Sequence, residues 1–212
     1  MGAQMRYVAL DIETTGLDPD YCQILQVAAV VDDWPANRTS HDGGELPIGR
    51  LPTFEAILRH EVMHGEPIAL TMNAELIETI GRCPVNEHTS VPISYRNRSV
   101  PVFFVRAQLF EALRHFLSAH LGKPPYVAAG RNVAGFDLQF FPEDARRLFH
   151  YRLLDVSSMA MGARPALWQA DRLPSCDKII DHPAAHDALF DAWDVIRTVR
   201  KLYNEHPETN GC

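Results

Sequence analysis

Hydrophobic and polar positions alternate along residues 7–13. On an extended chain Val8, Leu10 and Ile12 face one side, and Ala9, Asp11 and Glu13 face the other. This pattern predicts a strand that stops at the Gly16 and Pro19 turn. Residues 23–32 carry Ile24, Leu25, Val27, Ala28, Ala29, Val30 and Val31, an almost unbroken apolar run of strand length. Such a run suits a strand covered on both faces. Over residues 33–53 the periodicity fades into Pro, Gly, Asn, Asp and Ser, which predicts an excursion loop before a third strand near 54–60.

Helical spacing appears further on. Residues 71–80 predict a short helix with Thr71 as its cap. Leu109, Leu113, Phe116, Leu117 and Leu121 recur at helical intervals over 105–121, and Gly122 and Pro124 end that pattern. Residues 126–129 read as a short strand. Residues 130–135 make a tight connection to a helix beginning near Phe136, with Pro142 starting a new turn. A strand is expected over 151–156. A last helix is expected over 185–203, with Ala185, Ala188, Leu189, Ala192, Ile196 and Val199 on one face. Residues 204–212 read as a polar tail. With no internal repeat and no dividing linker, the expectation is one α/β domain over 1–203, a mixed sheet covered by helices.

Composition narrows the function classes. A chain of 212 residues that is 46% hydrophobic suits one globular core. Cys22, Cys83, Cys176 and Cys212 are widely spaced, which suits reduced thiols. No apolar run approaches the ~20 residues of a membrane span, and no basic segment leads into an apolar one at the N-terminus. A cytoplasmic protein is the expectation. A net charge of −7 argues against broad, nonspecific grip on duplex DNA. It leaves room for an enzyme that meets phosphate through cations.

The chemistry begins with Asp11 and Glu13, two carboxylates on one side of a buried strand end. Unpaired, they would stay protonated or cost several kcal/mol, so a cation is expected, and hard divalent ions prefer oxygen ligands. A solvated strand end is the plain alternative. The segment His186-Asp187-Ala188-Leu189-Phe190-Asp191 sets a histidine at the start of the last helix and Asp191 just over a turn later. Asp137 falls in the first turn after Gly130–Gly135, where a lone Asp would ordinarily pair with the helix dipole.

Taken together, Asp11-x-Glu13, Asp137 and His186-x-x-x-x-Asp191 resemble the DEDDh 3'-to-5' exonucleases, filling all five places in order. Asn132 with Gly135 before Asp137, and His150-Tyr151-Arg152 before Asp155-Val156-Ser157, look like oligoribonuclease. Asp11-Ile12-Glu13-Thr14-Thr15-Gly16 is nearer the proofreading and repair exonucleases. The chain departs from oligoribonuclease in an extra segment over 33–98.

The resemblance implies a ribonuclease-H-like fold with a central sheet of about five strands. It also implies hydrolysis of terminal phosphodiesters of single-stranded or short nucleic acid, with RNA or DNA left open. Two Mg2+ or Mn2+ ions would be held by Asp11, Glu13, Asp137 and Asp191, and His186 would act as general base. A homodimer is a further implication.

Around this core, Leu17 is either a wedge against the last base or a leucine packing its turn. Thr14, Thr15 and Asn132 are candidates for contact with the substrate. Arg131 and Lys178 are either phosphate contacts or surface charges. Two other readings remain. One is a catalytically quiet exonuclease fold that binds nucleic acid or accompanies a polymerase. The other is a zinc hydrolase through His60-Glu61-Val62-Met63-His64, which requires both histidines on one helical face.

Overall fold

The two most apolar segments form the middle of the sheet. β1 (Met5–Thr14) and β2 (Ile24–Trp34) pair antiparallel, with Val8 opposite Val31 and Asp11 opposite Ala28. The structure, a computed structural model, describes residues 5–34, 47–83, 90–163 and 186–205. β3 (Thr53–Leu58) lies antiparallel to β2, and the hairpin of β4 (Val91–Tyr95) and β5 (Arg98–Phe103) follows, with β5 parallel to β3. On the other side β6 (Ala128–Gly130) runs parallel to β1, and β7 (Leu154–Asp155) runs parallel to β6. The mixed sheet has the order β4-β5-β3-β2-β1-β6-β7.

The α/β architecture is the expected one, with seven strands where about five were expected. The hairpin hides in the sequence because Pro92 and Pro101 interrupt it. The two prolines face each other across the hairpin, and β4 is an edge strand, where a missing N–H is tolerated.

Helices cover both faces. α1 (Pro67–Met72) and α2 (Ala74–Arg82) precede the hairpin, and α3 (Arg106–Leu121) follows it. α4 (Glu143–Arg146), α5 (Val156–Ala163) and α6 (Ala188–Glu205) complete the described helices. Leu109, Leu113 and Leu117 of α3 pack on Val8, Leu10 and Ile12 and their neighbours in β2. Ala188, Ala192, Val195, Ile196 and Val199 of α6 pack on Tyr7, Ala9, Ala28 and Val30 across the sheet. Each fully buried Leu, Ile or Val contributes about 1.5–3 kcal/mol. β2 is therefore apolar at consecutive positions because both of its faces are covered. Leu76 and Ile80 of α2 pack against Tyr95, Val100 and Val102 of the hairpin.

A charged cluster lies inside this core. Arg200 of α6 forks onto Asp32 at the end of β2, Nε to Oδ2 at 3.0 Å and Nη2 to Oδ1 at 2.9 Å, and the Tyr7 hydroxyl donates to the same carboxylate.

Several boundaries differ from expectation. Residues 71–80 are not one helix capped by Thr71. Two helices meet at Asn73, and the Thr71 hydroxyl donates back to the Pro67 carbonyl inside α1. The helix expected near Phe136 is a single 3-10 turn, Asp137–Phe140, after which Pro142 opens α4. The strand expected over 126–129 lies at Ala128–Gly130, with Tyr126 bridging to Phe149. The strand expected over 151–156 shrinks to two residues because Val156 already begins α5. α6 runs on to Glu205, so residues 204–205 extend the helix, and 206–212 lie outside the described residues. Within the excursion, Ile48–Arg50 forms a 3-10 turn, and 35–46 lie outside the described residues. Cys22 and Cys83 are buried, while Cys176 and Cys212 lie outside the described residues. No described helix is long and apolar enough to cross a membrane.

Candidate active site

The period of β1 puts Asp11 and Glu13 on the α6 side of the sheet, in line with Tyr7 and Ala9, which that helix covers. Asp191, in the first turn of α6, meets them. One carboxylate oxygen from each of Asp11, Glu13 and Asp191 lies within 4.8 Å of the other two. Glu13 and Asp191 are buried, and Asp11 is partly so.

Crowding of like charges away from water sets the electrostatics. The Asp11 carboxyl is pushed well above the usual carboxylate range by burial first, then by Asp137, Asp191 and Glu13, with Arg131 opposing. Burial, with help from Asp191, raises Glu13 to about 8, while a hydrogen bond from Asn73 pulls the other way. Burial raises Asp137 to about 7, held back by backbone N–H donors that include Ile12 at 3.1 Å. Such groups favour the ionised form when a cation is present. The donor set is all oxygen, which suits hard ions such as Mg2+ and Mn2+ better than a soft site built of thiolate and imidazole.

Asp137 stands outside the tight trio but close enough to raise the Asp11 pKa. The Arg131 Nη1 approaches Asp191 Oδ1 at 3.4 Å, so this arginine faces the carboxylates rather than open solvent. His186 precedes α6 rather than starting it. The capping residue is Asp187, whose Oδ1 accepts from the backbone N–H of Leu189 at 3.1 Å and of Phe190 at 3.4 Å. His186 itself has φ of 49°, in the left-handed region.

The turn after β1 assigns several candidate residues to holding the loop. Thr14 Oγ1 donates to the Gly16 carbonyl, and fully buried Thr15 accepts from Gln23 N–H through Oγ1 at 2.8 Å. Gly65 packs so tightly on Thr15 that a Cβ there would overlap it. Leu17 does not pack its turn, being 71% exposed, and its N–H donates to Glu66 Oε1. Ile68 and Met72, on the helix that follows Glu66, are also exposed apolar side chains. Asn132 sits exposed in a left-handed turn, with its N–H donating to Asp155 Oδ2 at 2.7 Å. Lys178 lies outside the described residues.

The His60–His64 segment lacks the helix that zinc binding requires. It is irregular backbone after β3, with His60 Nε2 2.6 Å from the Ile24 carbonyl and the His64 ring against Tyr21. Among the described residues, Asp11, Glu13 and Asp191 are the one group of three with metal-ligating spacing.

Sequence reasoning overlooked Asn73, whose Nδ2 donates to the Thr14 carbonyl, and the set of Asp187, Arg96 and Arg98. A helix-breaking Asn and two arginines in a Pro-containing hairpin carry no periodic signal.

No model of a protein family matches the chain. It is 30% identical over 206 residues to the oligoribonuclease of Bordetella pertussis, covering 95% of this chain and 94% of that one. It is 28% identical over 209 residues to the oligoribonuclease of Paraburkholderia xenovorans, covering 96% of this chain and 84% of the relative. Among solved structures, E. coli exonuclease I in its zinc-bound complex with single-stranded DNA superposes with a TM-score of 0.60 at 18% identity. That match covers 97% of this chain and 42% of the other. Cell-death related nuclease 4 gives a TM-score of 0.55 at 14% identity, covering 94% of this chain and 64% of the other. The chain thus spans under two thirds of these two solved chains, and at such identities the likeness is one of fold.

Proposed function

This chain belongs to the oligoribonuclease family of DEDDh 3'-to-5' exonucleases, and from that premise we propose that it trims short RNA oligonucleotides from their 3' ends. The observation that carries the reading is the convergence of Asp11, Glu13 and Asp191 from β1 and α6 at one end of the sheet. RNA is preferred to DNA because the relatives that match along nearly their whole length are oligoribonucleases, whereas the neighbour bound to single-stranded DNA shares the fold alone.

In this reading Asp11, Glu13, Asp137 and Asp191 hold two Mg2+ or Mn2+ ions, which supply charge compensation at the phosphate and a more acidic water. Arg131, already facing Asp191, tempers the excess negative charge near Asp11. An imidazole nitrogen of His186 takes the proton from the attacking water. Leu17, exposed beside the buried Thr14–Gly16 turn, offers an apolar surface to the terminal base. The Thr14 and Thr15 hydroxyls also hold the turn that carries Leu17.

The test is a product ladder from 5'-labelled RNA dinucleotide, longer RNA and matched single-stranded DNA, with Mg2+ or Mn2+, for the natural chain and Asp11→Asn. The expected result is stepwise 3' shortening, strongest on short RNA and absent in the variant. Faster shortening of DNA would overturn the substrate class, and undiminished shortening by folded Asp11→Asn would overturn the site.

A further inference from the structure

Asp187 is an aspartate with no exposed surface, one residue from His186 and four from Asp191. It has two jobs at once. Its Oδ1 caps α6 by accepting from Leu189 and Phe190 N–H, and its Oδ2 accepts from Arg98 Nη2 at 2.6 Å and from Arg96 Nη1 at 3.4 Å. Both arginines come from the β4–β5 hairpin, at the far edge of the sheet in strand order. The hairpin turn is built of Arg96 and Asn97, both with positive φ, as a two-residue turn that follows the strand twist requires.

Arg98 is itself held. It donates to Glu55 of β3 from Nε at 3.0 Å and from Nη2 at 2.8 Å. Glu55 also accepts from Gln26 Nε2, and Gln26 Oε1 accepts from the N–H of Ala188, the first residue of α6. The Arg98 guanidinium lies 4.8 Å over the Phe190 ring, next to Asp191. Arg96 is braced from the other side by Glu75 of α2 at 3.0 Å. The start of α6 is therefore tied to β2, β3, β5 and α2 through charged groups and the Gln26 amide.

The tie has something to hold. His186 occupies the left-handed region, a conformation strained for a residue other than glycine that persists where its surroundings over-determine it. A carboxylate buried as deeply as Asp187 is tolerated when it is paired and hydrogen-bonded, as it is here. We propose that Arg98 and Arg96 are positioning residues for the hydrolysis, acting through Asp187 to hold His186 and Asp191 in working geometry. This rests on the exonuclease reading above. It makes the β4–β5 hairpin a component of the catalytic apparatus.

The experiment is a double-mutant cycle of Arg98→Met with His186→Ala, with Arg98→Lys as the conservative variant and hydrogen exchange on each folded protein without metal. Arg98→Met is expected to lower kcat about 10–100-fold with KM little changed, as small misplacements of catalytic groups do. It is expected to lower kcat by a smaller factor once His186 is alanine, the remaining loss coming through Asp191, and Arg98→Lys should regain part of the loss. Exchange should quicken at the amides of 188–191 and stay slow in β1 and β2. An equal loss in both backgrounds, exchange that quickens throughout, or full kcat in folded Arg98→Met would each overturn the proposal.

If Arg98→Met does not fold, half-exposed Arg96→Gln takes its place in the cycle, with a smaller loss of the same pattern expected and additivity overturning it. Failure of the exonuclease reading is separately visible. It would show as no 3' shortening by the natural chain or full activity in His186→Ala, whereas the exchange pattern reports on the clamp by itself.

Discussion

The backbone N–H of Ile12 donates to Asp137 Oδ1 at 3.1 Å, so the mid-chain carboxylate is tied to the residue that lies between Asp11 and Glu13. Asp137 is buried, and the bond pins its 3-10 turn to β1. Asparagine can still accept that bond, and alanine cannot. Asp137→Asn is therefore expected to lose hydrolysis at close to natural stability. Asp137→Ala should lose a further ~1–3 kcal/mol for the stranded N–H. Urea melts of the two variants check this, and equal midpoints would refute it.

The raised carboxylates fix a pH dependence. Glu13 moves from its ordinary 4.5 to about 8 in the folded chain. A group raised on folding holds its proton in the folded state while the unfolded chain has lost it. Its contribution is therefore complete below about 4.5 and is lost as pH climbs through about 8. Asp137, raised to about 7, acts in the same direction. Metal-free protein should melt at progressively lower temperature from pH 5 to pH 8, and added Mg2+ or Mn2+ should flatten that slope. Cation binding should also release protons in this window and tighten as pH rises. Calorimetry in buffers of different ionisation enthalpy reads the proton count, and binding without proton release would contradict the assignment.

His186→Ala should fold and bind cations while its kcat drops about 10²–10⁴-fold, the usual worth of a general base. Single-turnover assays separate this from slower product release. Turnover at the natural rate would remove His186 from the mechanism.

Arg200 and Asp32 hold α6 to β2 far from the chemistry. Arg200→Met leaves Asp32 buried without its bidentate partner, which typically costs about 3–5 kcal/mol. Chemical denaturation measures the loss. Once corrected for the folded fraction, kcat at low temperature should be unchanged, in contrast to the Arg98 variants.

Much of this protein is legible before any coordinates. The alternation through Val8, Leu10 and Ile12, the solid apolar run of β2 and the helically spaced leucines of α3 are responses to burial. Burial acts on each short segment through a period of two or of 3.6. The acidic pair of β1 is legible for the same reason, because two residues apart on a strand means one side of a sheet. The sequence also supports the meeting of Asp11, Glu13 and Asp191, through the resemblance carried by their spacing.

Residues whose roles depend on distant partners escaped. Thr71 looks like a cap until Pro67 is seen to start α1, and Asn73 breaks the helix to reach the Thr14 carbonyl. Thr15 and Leu17 are neighbours in similar sequence surroundings, yet Gln23 and Gly65 enclose the first while the second stands out in solvent. Asp187 carries no signal of its own in the sequence, and nothing local reveals Arg98, 89 positions away.

By itself, then, the sequence determined the two central strands, the two main helices and the side of the sheet on which the carboxylates stand, since periodicity and turn chemistry act within a few residues. Tertiary structure alone decided which charges are paired, which hydroxyls are spent on the turn and what braces His186. Those outcomes follow from desolvation and hydrogen bonding between segments that the chain brings together only when it folds.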